Sequence, residues 1–245
     1  MITTVIALLV GIQGPAATKV SAAGIMTKMF AHYADAKSVV GTIKMTLTAA
    51  GESLHTNTNV QFDRPSKIFL HQTRDGLHPR EWLLVSDAKS FSYDPPNEQS
   101  KIFGQKRHVE YVTQHGTSQN LGDFLSAAAQ SLGDINPMIE AMISSKVWLQ
   151  KLTGQWATLV YRGKVTANGQ ECHAITGNYR DNVSAPPSGT FEAYVTEDGE
   201  FVKYVLHQRV SVANGVRDPV DVTTTWDAVL KIDAPSDPAL YRVLP

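Results

Sequence analysis

The chain has 245 residues, 42% hydrophobic and 18% charged, which is ample for one large β domain or two average domains. Its formal net charge of −1 removes the electrostatic argument for a nucleic-acid partner or an anionic membrane surface. One cysteine, Cys172, excludes an internal disulfide framework.

Taken in chain order, Ile2 to Ile12 is an apolar run broken by Thr3, Thr4 and Gly11. It is too short to span a bilayer, which takes about 20 residues. Small residues follow at Gly14-Pro15-Ala16-Ala17 and Ser21-Ala22-Ala23, the pattern of a signal peptide over 1–22, with cleavage after Ala17, Ala22 or Ala23 all open. No cysteine lies near these sites to carry a lipid, so the expected product is exported and not lipid-anchored, with nothing spanning the membrane after cleavage. Ile25, Met26, Met29, Phe30 and Tyr33 recur at helical spacing to about Lys37.

Strand signals then take over. Val39, Gly41, Ile43, Met45 and Leu47 face one way, and Ala49-Ala50-Gly51-Glu52 turns the chain into a second strand. There residues 54, 56, 58, 60 and 62 read Leu, Thr, Thr, Val, Phe against Ser, His, Asn, Asn, Gln at 53 to 61, the period of two of a half-buried strand. Pro65 belongs at a strand junction, since within a central strand it would remove a ladder hydrogen bond. A third strand covers 66–74, a hairpin joins 82–85 to 90–93 across Ser86-Asp87-Ala88-Lys89, and a further strand is expected near 98–104.

From 119 to 146 the period becomes helical, with Leu121, Phe124, Leu125, Ala128 and Leu132 on one face. Asn136-Pro137 breaks this helix, and Ile139, Met142 and Ile143 open a second. Strands resume at 158–166, turn at Asn168-Gly169, and continue through 171–177, 191–195, 201–212 and 220–230, with Asp198-Gly199 as a hairpin signal. The sum is about eleven strands, mainly β in an α+β chain, with a helix in front and a helical pair inserted mid-sheet. Nothing marks a linker, so 23–245 reads as one domain. A sheet of that size must close, split or be covered, and the inserted helices are the natural lid.

Catalytic signatures are absent. There is no Gly-x-Ser-x-Gly elbow, no His-Glu-x-x-His and no phosphate-cradling glycine loop, so no cofactor or enzymatic activity is expected. His71 and His207 both lie on strands and are the weak candidates for a metal assembled from distant elements. Cys172 and His173 are neighbours on one strand and point to opposite faces, so they read as a buried thiol beside an exposed histidine. Asp218, Asp221, Asp233 and Asp237 read as solvated loop acids.

The aromatic residues tell more. Phe62, Phe69, Trp82, Phe91, Tyr93, Phe103, Phe124, Phe191, Phe201 and Trp226 are spread over nearly every element, and Leu84 and Met142 join them as candidate lining residues. Such a set serves either a filled core or the lining of an apolar cavity beneath a helical lid.

VQFDRPSKIF followed by LLVSDAKSFSYDPPNEQ resembles the LolA/LolB-like family, periplasmic carriers of lipoproteins and related lipid-binding domains. The order is strand, basic-Pro turn, strand, hairpin, aromatic strand and polar turn, with Ala88 standing where glycine is usual. NGQECHAITG and the closing TTTWDAVLKIDAPSDPALYRVLP are similar to later elements of related periplasmic proteins. The resemblance implies an incomplete antiparallel β-barrel with a helical lid, whose cavity takes lipid or lipoprotein acyl chains. It further implies that Arg64, before the proline, hydrogen-bonds lid backbone and latches the empty cavity. Dedicated carriers continue past the point matching Pro245, so lipid binding is implied and hand-off to a release complex is not. The same fold also serves as a sensor module that regulates envelope stress through a protein partner, the alternative function.

Overall fold

The computed structural model describes residues 20–76, 79–93, 108–111, 121, 136–143, 152–181, 184–210 and 219–243. Helix α1 (Ala22–Asp35) leads, capped by the Ser21 hydroxyl, which accepts from the Gly24 amide at 3.1 Å. Strands β1 (Ser38–Ala49), β2 (Glu52–Asp63), β3 (Lys67–Arg74), β4 (Arg80–Asp87), β5 (Ser90–Tyr93) and β6 (His108–Tyr111) form an antiparallel meander. Helix α2 (Pro137–Ile143) follows, and a second meander runs through β7 (Trp156–Ala167), β8 (Gln170–Tyr179), β9 (Gly189–Thr196), β10 (Phe201–Val210) and β11 (Val220–Ile232).

The two meanders fuse because β1 pairs with both β2 and β11. The result is one eleven-stranded sheet in the order β6-β5-β4-β3-β2-β1-β11-β10-β9-β8-β7. Among the described residues β6 and β7 do not pair, so the sheet is open, an incomplete antiparallel barrel. The β6 found at 108–111 lies beyond the strand expected near 98–104, which falls outside the described residues, as does most of the first inserted helix with Phe124.

Register explains why one face is dry. Val39, Gly41, Ile43, Met45 and Leu47 stand opposite Phe62, Val60, Thr58, Thr56 and Leu54 on one side, and opposite Ile232, Leu230, Ala228, Trp226 and Thr224 on the other. Cross-strand partners share a face, so each strand's alternation adds to the same apolar surface. The layer continues through Ile68 and Leu70 into Leu84 and Phe91, and through Tyr204 and Leu206 into Ala193 and Phe191. Met26, Met29 and Tyr33 of α1 and Met138, Ala141 and Met142 of α2 complete this core. The Tyr33 hydroxyl accepts from the Phe201 amide at 2.9 Å, which pins α1 to the sheet.

Two-residue turns follow their sequence signals. Asn168-Gly169 (φ 49 and 78) and Ala50-Gly51 (φ 51 and 85) both take the left-handed conformation of a tight hairpin. Asp233 and Asp237 are exposed, as expected of solvated loop acids, and their carboxylates also accept backbone hydrogen bonds. Asp233 Oδ1 accepts from the Lys37 amide at 2.7 Å and the Ser38 amide at 3.3 Å, and Asp237 caps Ala239 at 2.9 Å. Asp233 thereby holds the end of β11 against the joint between α1 and β1.

Candidate functional site

Arg64 follows β2 directly, just before Pro65, in the turn toward β3, and its side chain reaches the helices. Its Nε donates to the Ala36 carbonyl at 3.0 Å and its Nη2 to that of Tyr33 at 2.8 Å, both at the C-terminus of α1. The same guanidinium donates to the carbonyls of Met142 at 2.9 Å and Ile143 at 3.2 Å, at the C-terminus of α2. Last-turn carbonyls have no partner within their own helix and carry the negative end of the helix dipole, so one planar cation serves both ends. Burial lowers the Arg64 pKa from its ordinary value, yet an arginine stays charged. Phe62 lies beneath, with the guanidinium carbon 5.5 Å from its ring centroid.

A cavity of about 570 Å³ opens at the other end of α2, between that helix, residues 152–155 and the sheet. Its walls are Met45 and Leu47 from β1, Tyr204, Leu206, Gln208 and Val210 from β10, and Val222, Thr224 and Trp226 from β11. Pro137, Glu140, Leu152, Gln155, Tyr179 and Asp181 close it. Its floor is aromatic. The Trp156 indole donates to the Tyr204 hydroxyl at 2.9 Å, and Tyr204 lies 5.5 Å from Trp226, centroid to centroid. Burial, offset only partly by that hydrogen bond, pushes the Tyr204 pKa far above the ordinary phenol range. The volume sits within the range of about 300–1,000 Å³ usual for small-molecule sites.

Of the residues expected from sequence to line a ligand site, the cavity wall holds Trp226. Arg64, Phe62 and Met142 gather at the latch. Trp82, Leu84 and Phe91 are buried, and Tyr93 packs against them, in the β4–β5 part of the core. Phe69 is half-buried on the face opposite Ile68 and Leu70. The aliphatic and amide side chains of β10, together with Leu152, Gln155 and Glu140, were missed. Alternation along Tyr204, Leu206, Gln208 and Val210 marks their shared face in the sequence, but reading for aromatics passes over them.

The histidine expectations separate. His71 on β3 and His207 on β10 are four strands apart, about 19 Å at ordinary strand spacing, and each has its own partner. Among the described residues no cluster of three or more His, Cys, Asp or Glu is placed to hold a metal. Cys172 is buried as expected. His173 is buried too, at 5% exposure, contrary to expectation. It faces the α1 side, with Nδ1 3.1 Å from the Tyr161 hydroxyl and Nε2 3.0 Å from Glu197.

No family model matches the chain, and no curated protein does. Solved structures similar to it include the lipoprotein LppX of Mycobacterium tuberculosis, 11% identical with TM-score 0.47, covering 88% of this chain and 97% of that one. MucB in its complex with MucA from Pseudomonas aeruginosa is 12% identical with TM-score 0.43, covering 89% of this chain and 60% of that one. A LolA superfamily protein from Nitrosomonas europaea is 11% identical with TM-score 0.32, covering 91% of this chain and 98% of that one.

Proposed function

We propose that this chain is an exported, non-enzymatic binder or carrier of lipid or lipoprotein acyl chains, held in the cavity beneath α2. The observation that carries the reading is that cavity, about 570 Å³ between sheet and helices with Leu47, Leu152, Leu206, Val222 and Trp226 in its walls. Burying an acyl chain contributes about 0.8 kcal/mol per methylene, so ten methylenes give about 8 kcal/mol before the costs of association.

Arg64 supplies the means of release. Helix α2 runs from the cavity at Pro137 and Glu140 to the arginine's acceptors at Met142 and Ile143. That is about 9 Å along one rigid element, at about 1.5 Å per residue. A ligand that displaces α2 works against the Arg64 hydrogen bonds, so binding is tempered and the empty state closes. Of the residues singled out from sequence, Arg64, Phe62 and Met142 belong to the latch, Trp82, Leu84, Phe91 and Tyr93 to the packed core and Trp226 to the cavity wall, while Phe69 lies on the opposite face and Phe124 outside the described residues.

Uptake of the neutral apolar fluorophore N-phenyl-1-naphthylamine tests the site. The wild-type chain should enhance its emission, and Leu206→Trp, which fills the cavity, should abolish the enhancement. Equal enhancement in both would remove the cavity from the account. The alternative, a module that binds an envelope protein, draws on edge strand β7, where Val160 and Val165 are 42% and 38% exposed. A Val160→Lys, Val165→Lys variant that loses a captured protein but keeps the fluorophore would favour it.

A further inference from the structure

Cross-strand register divides the sheet wall of the cavity into levels. Tyr204, Trp226 and Met45 stand side by side on β10, β11 and β1. Two residues along come Leu206, Thr224 and Leu47, and two further come Gln208 and Val222. Partners in register share a face, so each set is one level of the same wall. Burial falls from level to level. Tyr204, Trp226 and Met45 are buried, Leu206 and Thr224 are buried beside a half-buried Leu47, Gln208 and Val222 are half-buried, and Val210 beyond them is 44% exposed. The cavity therefore has a depth axis along the strands, with its rim at Val210 and its floor at Tyr204. Below the floor lies packed core: Trp156 stacks on Phe191 at 5.4 Å between centroids, Phe201 meets both Trp156 and Tyr204 edge to face, and the next level down, Ile43 with Ala228, is buried. At the rim, Gln208 Nε2 donates to Oδ1 of the exposed Asp181 at 3.1 Å.

Resting on the acyl-binding reading, we infer that the cavity takes single-chain amphiphiles tail first, and that the row of Tyr204, Trp226 and Met45 is a stop that sets the length of chain it holds. The levels above the stop run from Leu206 to Val210, about 14 Å at about 3.4 Å per residue. An extended alkyl chain of C–C bonds of about 1.5 Å advances about 1.25 Å per carbon, so about eleven carbons reach from rim to floor. Each methylene buried on the way tightens binding about fourfold, whereas methylenes beyond the rim stay in water and add nothing. The head group remains at the exposed end, beside Gln208 and Asp181, where it keeps its hydration and avoids the cost of burying a polar group.

Calorimetric titration with lysophosphatidylcholines of eight to sixteen carbons, each below its micelle concentration, reads the stop. Affinity should rise about fourfold per methylene up to about twelve carbons and then level off. A rise that continues to sixteen carbons overturns the stop and leaves the cavity reading intact. Failure of the whole series to bind overturns the cavity reading itself. Trp226→Leu, which lowers the floor, should move the break to longer chains, and Thr224→Phe, one level up, should move it to shorter ones. A break that stays in place in either variant, folded by circular dichroism, overturns the assignment to this row. Orientation is read from the share of tryptophan emission that Trp226→Phe removes. A bromine at the methyl end of dodecanoate should quench that share more strongly than a bromine beside its carboxylate, and equal quenching or the reverse order overturns tail-first binding.

Discussion

Arg64 is where one side chain has the largest reach, since its guanidinium serves the carbonyls of Tyr33, Ala36, Met142 and Ile143. Arg64→Leu leaves those helix ends without their donor and should lower unfolding stability by about 3 kcal/mol, within the range for removing one partner of a buried charged hydrogen-bond set. It should also speed release of a bound fluorophore. Urea denaturation and stopped-flow displacement check the two parts, and unchanged release would end the latch role. Arg64→Lys, with no fork to span two helices, should recover only part of either. Tyr204→Phe tests the cavity floor. It strips the acceptor from the buried Trp156 indole and should cost about 1–3 kcal/mol, read from the urea midpoint.

Among the elements, the hairpin between β4 and β5 carries a local mismatch. Ala88 has φ 77 in a turn where Asp87 Oδ1 accepts from the amides of Lys89 and Ser90, both at 2.8 Å. A side chain in that left-handed region costs about 1–2 kcal/mol, partly offset by the extra unfolded-state freedom of glycine at about 0.5–1. Ala88→Gly should therefore raise stability by about 0.5–1 kcal/mol in the same denaturation assay. Helix α1 offers a second case. Its cap is Ser21 and its first residue, Ala22, is buried, so a chain beginning at Ala23 should melt lower than one beginning at Thr18. The strands were legible because Val39 to Leu47, residues 54 to 62 and Val220 to Leu230 alternate cleanly, and alternation fixes a face. It does not fix which stretch of that face the helices fill. Trp82, Leu84 and Phe91 went into packed core, whereas the void formed over Leu206, Val210 and Val222, where the covering groups come from α2 and residues 152–155. The four acceptors of Arg64 likewise come from two helices about thirty and eighty residues away, a meeting no local pattern carries.

For the whole molecule, the buried phenols set the alkaline limit. Tyr194 and Tyr241 are pushed from 10.0 to about 12, chiefly by burial, and Tyr33 and Tyr204 are pushed higher still. Between those values the unfolded chain has released protons that the fold retains. Their contribution is therefore full below pH 10.0 and falls as pH rises toward the folded values. Denaturation midpoints across that window should decline steeply, with little change on its acid side from these groups. The more direct question is whether the cavity is occupied in life. Native mass spectrometry of the protein from its own host, followed by organic extraction, answers it. The account predicts an added mass that leaves the protein into organic solvent. A bare protein that also refuses N-phenyl-1-naphthylamine would contradict it.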